Sequence, residues 1–251
     1  MNRHNEEGII LRPVDFRERD RILTFLTPEQ GKISGIVHGA RSLKSQNRAA
    51  TEPLVLARFE YVERRQTAMV KIEHCEALDL FPAIRKDYSR FLYASYFAEL
   101  LLLTEIPSTE APLYFNWLAS ILKTFQNEPA DLFRKAHWEW DFLCLLGVQP
   151  QLDCCQVSGQ PLPPDFLPSE QVFYQLDARL GGIRSPGYTE PNPDAAWLSI
   201  GTVIGLRKLA AGELQWQPTK LNLRELHKAF LVYLRFHLGR EPKSHGLIPI
   251  R

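Results

Sequence analysis

The sequence predicts an α+β protein: a five-stranded β-barrel over residues 1–80, then an α-helical bundle domain over 81–251 with an irregular, Pro-rich insertion at about 150–193. Two observations carry the prediction. Apolar residues recur with a period of two as far as Leu78 and with a helical period from Ala83 onward. Turn chemistry also cuts the first part into short segments, whereas the second part has long runs stopped by glycine or proline.

The strands follow in order. Gly8 to Val14 is β-branched and apolar, and Arg21 to Thr27 alternates Ile22, Thr24 and Leu26 against Leu23 and Phe25. Thr27-Pro28-Glu29-Gln30-Gly31 is a tight-turn sequence leading into Lys32 to His38. After a polar, Ser- and Arg-containing loop come Leu54 to Val62 and Ala68 to Leu78, the latter with Val70 and Ile72 alternating with Lys71 and Glu73. Five short strands in about eighty residues suit a closed barrel; the OB-fold is the commonest five-stranded solution, and an SH3-like barrel competes.

Helices are expected at Tyr88 to Leu103, apolar nearly all round, and at Ala111 to Phe125. A third spans Ala130 to Leu146 and is stopped by Gly147. After the stretch from Pro150 to Pro193, two more span Leu198 to Ala211 and Leu221 to Leu238, stopped by Gly212 and Gly239.

Hydrophobic residues make up 45% and charged residues 24% of 251 positions, which supports packed cores and argues against disorder. Met1 to Glu7 is polar, unlike a signal peptide, and the longest apolar stretch, Phe97 to Leu103, is far short of a membrane span. Cys75, Cys144, Cys154 and Cys155 make no disulfide framework in a chain this long. A reducing, cytoplasmic setting without a membrane partner is therefore expected. No GxSxG, Walker A, GxGxxG or HExxH pattern occurs, so neither an enzymatic function nor a small-molecule substrate is expected.

Net charge is only +1, but the charges are segregated. Between Glu29 and Glu52 there is no acid, while Lys32, Arg41, Lys44 and Arg48 are cationic. Arg12, Arg17, Arg19 and Arg21 precede them, offset by Asp15, Glu18 and Asp20. A basic loop leaving a barrel strand is a place where polyanions are held. The competing reading is a solvated strand face. Phe16, Phe59 and Tyr61 are candidate stacking platforms and equally candidate core.

A second basic stretch runs from Val203 to Arg251. On the last helix Arg224, Lys228 and Arg235 fall within about 40° of one another, with Arg207 and Lys208 nearby. On the third helix Phe133, Ala136, Trp140 and Leu143 form a core stripe. Trp138, Phe142 and Leu145 form another about 150° away, flanked by Arg134 and Lys135. That second stripe reads as an apolar groove rimmed by cations, fit for a short acidic peptide, or as a helix packed on two sides. Cys154-Cys155 is the metal candidate, but a structural zinc site needs two Cys-x2-Cys pairs. Here Ser158 stands three after Cys155, and Ser185 and Tyr188 stand where a second pair would be expected.

Several of these blocks resemble the bacterial RecO family. The likeness is carried by Glu7-Gly8-Ile9-Ile10-Leu11, by Asp20-Arg21-Ile22-Leu23-Thr24 with Leu26-Thr27-Pro28-Glu29-Gln30-Gly31-Lys32-Ile33, and by Gly39-Ala40-Arg41 ahead of Lys44-Ser45. Tyr93-Ala94-Ser95-Tyr96 with Glu99-Leu100-Leu101, the Trp138 to Gly147 helix, and Leu152-Asp153 before Cys155 and Gly159 continue it. The resemblance implies a mediator of DNA repair and homologous recombination with an OB-fold and a helical domain. Such a protein binds single- and double-stranded DNA and anneals complementary strands. With RecR it loads RecA onto strands coated by single-strand-binding protein (SSB), whose acidic, phenylalanine-ended tail it contacts.

The DNA candidates are Lys32, His38, Arg41, Lys44, Arg48, Arg12, Arg21 and Lys71; the secondary basic patch is Arg207, Lys208, Arg224, Lys228 and Arg235. The tail-groove candidates are Arg134, Lys135, Trp138, Phe142 and Leu145. Many members of the family carry a four-cysteine zinc site. Only Cys155 matches it, with Ser158 and Ser185 at two other positions, so no metal or other cofactor is expected. The implied location is the bacterial cytoplasm, at the nucleoid. The alternative is a protein-binding adaptor of a repair complex whose DNA affinity is incidental.

Overall fold

A computed structural model of the chain, describing residues 2–42, 48–63, 69–162, 173–213 and 216–250, shows all five expected strands closed into a barrel. They are β1 (Arg3–Phe16), β2 (Asp20–Thr27), β3 (Gly31–Val37), β4 (Leu56–Val62) and β5 (Val70–Asp79), in the order β1-β2-β3-β5-β4. All pairings are antiparallel except β3 with β5. This is the OB-like solution. β1 is long enough to pair twice: Arg3 to Ile9 lie against β4 and Ile9 to Phe16 against β2, with a bulge between Ile10 and Arg12.

Alternation decides what faces inward. On β4, Ala57, Phe59 and Tyr61 are buried while Arg58 and Glu60 are exposed. The core gathers Ile10, Leu23, Phe25, Val37, Phe59, Tyr61 and Ile72, with the Phe25 and Phe59 rings stacked at 4.1 Å. Phe59 and Tyr61 are therefore core and not stacking platforms. The parallel crossing of β3 and β5 is so close that a Cβ at Gly35 would lie 2.7 Å from Val70 Cγ2 and 2.9 Å from Ile72 Cδ1. Only glycine fits there.

Three helices follow: α1 (Pro82–Lys86), α2 (Tyr88–Leu103) and α3 (Ala111–Asn127). The Asp87 carboxylate caps α2 by accepting from Arg90 N at 3.1 Å. α2 packs on β1, and α3 packs on β2 and β3, so residues 1–129 form one compact unit. The period changes at residue 81, as the sequence predicts. The compact unit nevertheless runs on to 129, because the outer wall of the barrel is the surface that covers these helices.

The second unit, residues 130–251, contains α4 (Leu132–Leu145), α5 (Ile200–Ala210) and α6 (Lys220–Leu238). Gly147, Gly212 and Gly239 follow them at φ of 67°, 73° and 70°, the left-handed geometry that ends a helix. A Thr219–Asn222 capping box starts α6. A three-stranded antiparallel sheet of β6 (Phe173–Asp177), β7 (Gly182–Arg184) and β8 (Ala195–Ser199), in the order β7-β6-β8, begins in the stretch expected to be irregular and takes Leu198 and Ser199 from the start of the expected helix. β6 and β7 give no alternating signal, because Tyr174 to Asp177 are buried in succession and β7 has three residues, while β8 alternates over only five.

Gly35→Ala is expected to destabilise the barrel by about 1–3 kcal/mol through overpacking against Val70 and Ile72. Urea unfolding of the full chain, compared with Gly246→Ala, whose added Cβ meets nothing within 4 Å and whose backbone is not left-handed, checks this.

Candidate nucleic-acid interface

At one end of the barrel the β1–β2 turn meets the loop that leaves β3. Arg41 N donates to the Arg19 carbonyl at 3.0 Å, and the Asp20 carboxylate accepts from Gly39 N at 2.9 Å while pairing with His38 Nδ1 at 3.0 Å. The Gly39 amide, then His38, hold the Asp20 carboxyl below its ordinary range. Asp15 bridges two guanidinium groups, Arg21 Nε at 3.2 Å and Arg41 Nε at 3.2 Å. Of the acids that offset the local arginines in the sequence, Asp15 and Asp20 are thus engaged within the turn, and Glu18 is exposed. Arg17, Arg19 and Arg41 stay exposed around it, with Arg17 lying 5.1 Å from the Phe16 ring centroid.

Along the barrel wall runs a groove of about 690 Å³, lined by Arg12 and Val14 of β1, Thr24 of β2, Ser34 of β3, and Met69 ahead of β5. Lys32 and Glu63 also line it, and Arg12, Val14 and Met69 are exposed, so charged and apolar surface lie side by side in the groove.

The candidate cations sort into different roles. Lys32 is turned toward the helical layer. Its ammonium donates to the carbonyls of Leu101, Leu102 and Thr104 at 3.1, 3.0 and 2.7 Å, neutralising the C-terminal end of α2. Arg21 is mostly buried and joins β2 to Thr51 and Glu52, at 3.0 Å from the Glu52 carboxylate. These two are structural cations, a correction to their reading as DNA contacts. Lys71 shares Glu73 with Arg3, at 3.4 and 2.9 Å. Arg48 is exposed at the start of a 3-10 turn, Ala49–Thr51. Lys44 lies outside the described residues.

The second unit divides in the same way. Arg207 donates through Nε and a terminal nitrogen to the Leu152 carbonyl at 2.9 and 2.8 Å, and Arg235 reaches the Pro193 carbonyl at 2.6 Å. Both tie loops to helices, and Lys208 is half-buried. Arg224 and Lys228, one turn apart on α6, are exposed. They flank a groove of about 570 Å³ lined by Leu231, Ile248 and Ile250. Beneath it the His227 and His245 rings stack at 3.9 Å. Burial, then the nearby Lys135 charge, pushes His227 down to about 2 and His245 to about 3, so both rings are neutral.

The groove expected on α4 does not form. Phe142 is fully buried, and Lys135 is buried with its ammonium 2.5 Å from the equally buried Glu139 carboxylate. Burial pushes the Lys135 pKa down while Glu139 opposes it. Trp138 and Leu145 are half-buried, and Arg134 is paired with Asp131 at 2.5 Å. α4 packs against α5 and α6, and of the second stripe Phe142 lies in the core. The cationic apolar groove lies on α6 instead. Its sequence signal was the Arg224/Lys228 pair, but the floor comes from Ile248 and Ile250, which follow the helix.

Comparison with known proteins bears on this arrangement. Residues 1–81 match the family described as Recombination protein O N terminal, and residues 85–246 match Recombination protein O C terminal. The chain belongs to the RecO family. It is 28% identical over 249 residues to the DNA repair protein RecO of Syntrophus aciditrophicus, covering 96% of this chain and 93% of that one. It is 30% identical over 247 residues to that of Anaeromyxobacter dehalogenans strain 2CP-1, with the same coverage. With the Myxococcus xanthus protein it shares 28% identity over 244 residues, 97% of this chain and 96% of that one. The family is one of DNA repair and recombination. Among the described residues of this RecO chain, no helix is long and apolar enough to cross a membrane.

Lys32→Met is expected to cost about 1–3 kcal/mol of stability by leaving the α2 carbonyls without their cation. The salt dependence of DNA binding stays unchanged. Parallel urea unfolding and oligonucleotide titrations separate the two effects.

Proposed function

We propose that this chain is a recombination mediator without catalytic activity, which binds single- and double-stranded DNA on the barrel and promotes strand annealing. The observation that carries the reading is the barrel end where Arg17 and Arg19 remain exposed, beside an Arg41 paired with Asp15 and an Asp20 carboxylate held by Gly39 N and His38. An OB barrel commonly holds oligonucleotides across strands 2 and 3 and the adjoining loops. The groove bearing Arg12 crosses that same wall and opens toward Met69. Cations on a turn and a groove wall neutralise phosphates without reading bases, so binding is sequence-tolerant and weakened by salt.

The finer reading is that the chain works with RecR to load RecA onto SSB-coated strands in the bacterial cytoplasm, at the nucleoid. The groove on α6 supports a recruiting role for the second unit. Leu231, Ile248 and Ile250 suit a terminal aromatic side chain, and Arg224 and Lys228 suit neighbouring carboxylates, the composition of the SSB tail.

Two measurements test these readings. Arg17→Glu/Arg19→Glu, at exposed positions, is expected to weaken binding of a single-stranded oligonucleotide at least about tenfold and to lower the salt slope by about 1–2. An unchanged slope in the folded variant would leave the adaptor reading in its place. Arg224→Ala/Lys228→Ala is expected to weaken an acidic, phenylalanine-ended peptide about tenfold in fluorescence anisotropy, whereas Trp138→Ala leaves it unaffected. The reverse pattern returns the dock to α4.

A further inference from the structure

In the second unit two turns distant in sequence meet at one sulfur atom. The first turn is closed by Cys155 N donating to the Gln160 carbonyl at 2.9 Å and by Gly159 N donating to the Cys155 carbonyl at 2.8 Å. The second follows β7, where Tyr188 N donates to the Ser185 carbonyl at 3.1 Å. Backbone bonds join the two segments. Gln151 N reaches the Gly181 carbonyl at 2.8 Å, and Gln156 N reaches the Ile183 carbonyl at 2.8 Å. At the junction the Cys155 Sγ is wholly buried and accepts from Ser185 N at 3.3 Å. Ser158, from the first turn, lies against the same sulfur and with Ser185 lowers its pKa.

The positions are informative. Residues 155, 158, 185 and 188 form two pairs at the Cys-x2-Cys spacing of a four-thiolate structural metal site. The fold brings positions 158 and 185 to the same sulfur from separate turns. The side chains do not fit a metal. Only one thiol is present, and serine and tyrosine hydroxyls are poor zinc ligands at neutral pH. The groups around the sulfur are N–H and O–H donors, whose hydrogens occupy the space a cation would need. Among the described residues no group of three or more His, Cys, Asp or Glu comes together that could hold a metal.

We propose that this junction is a metal-independent knuckle, in which the Cys155 sulfur of one turn accepts a hydrogen bond from Ser185 N of the other and so holds the two together where a metal ion and four thiolates otherwise would. Burial alone raises the thiol's pKa, but the hydrogen bonds from Ser158 and Ser185 outweigh it and bring it down to about 6. The knuckle ties the segment after α4 to the sheet without a cofactor.

The test is a gain of metal binding beside a loss of stability, in the full chain under a non-chelating reductant. The wild type is expected to keep its melting temperature when a strong chelator is added and to give no cobalt–thiolate absorption with Co(II). Ser158→Cys/Ser185→Cys/Tyr188→Cys is expected to take up one equivalent of Co(II) with the visible bands of a tetrahedral thiolate site, and to be stabilised by Zn(II). Cys155→Ala is expected to lower the melting temperature by roughly 4–10 °C, and Cys154→Ala to leave it within about 2 °C. Stoichiometric metal in the wild type, or a melting temperature that falls on chelation, overturns the proposal. Equal stability of the two alanine variants does so as well, and so does a folded triple variant that binds no cobalt. Should the triple variant fail to fold, the chelation and alanine measurements still decide.

Discussion

The N-terminal unit depends on one strand pairing twice. β1 gives its first half to β4 and its second half to β2, and the bulge between Ile10 and Arg12 bends it from one partner to the other. Without that bend the sheet would have two free edges. Closure also sets register, since a slip of one residue would turn Ile10 out of the core. The same register brings the β1–β2 turn against the loop after β3, where Arg19 and Arg41 share a backbone hydrogen bond. The charged end of the barrel is thus a consequence of how it closes.

Cations in this chain have two kinds of work, and geometry separates them. Lys32, Arg21, Arg207 and Arg235 are turned onto carbonyl groups or nearby acids and hold elements together. Arg12, Arg17, Arg19, Arg224 and Lys228 project into solvent beside a groove or a turn. A phosphate or a carboxylate can displace water from the second group at little cost. Recruiting the first group would strip a helix end or a loop of its partner, and each such loss is expensive once the site is partly dry. The α4 pair Lys135 and Glu139 shows the extreme, an i,i+4 ion pair that lies wholly inside the second unit.

Much of the architecture was legible along the chain. Alternation at Ile22 to Leu26 and at Val70 to Glu73 marked strands that form, and Gly147, Gly212 and Gly239 stop helices where expected. The site was legible only in outline. The acid-free run from Gln30 to Thr51 marked a basic stretch, but Lys32 at its start serves a helix whose end lies 69 residues away. Asp15 offsets arginines as its place in the sequence suggests, by pairing with Arg21 and Arg41, whereas Asp20 turns to His38 and the Gly39 amide. The sheet of β6, β7 and β8 escaped notice because its strands are short and β6 is buried on both faces.

What the sequence by itself determined is whatever repeats or terminates locally: the period of each element, its stops, and the segregation of basic residues. Family membership was readable at the same level, from short blocks spread along the chain. Tertiary structure alone decided which cations face water, whether the Trp138 and Phe142 stripe was groove or core, and that Ser158 and Ser185 meet at Cys155. The reason is physical. Propensity and turn chemistry act between neighbours, whereas burial and charge pairing depend on which distant segments come to lie within a few ångströms of each other.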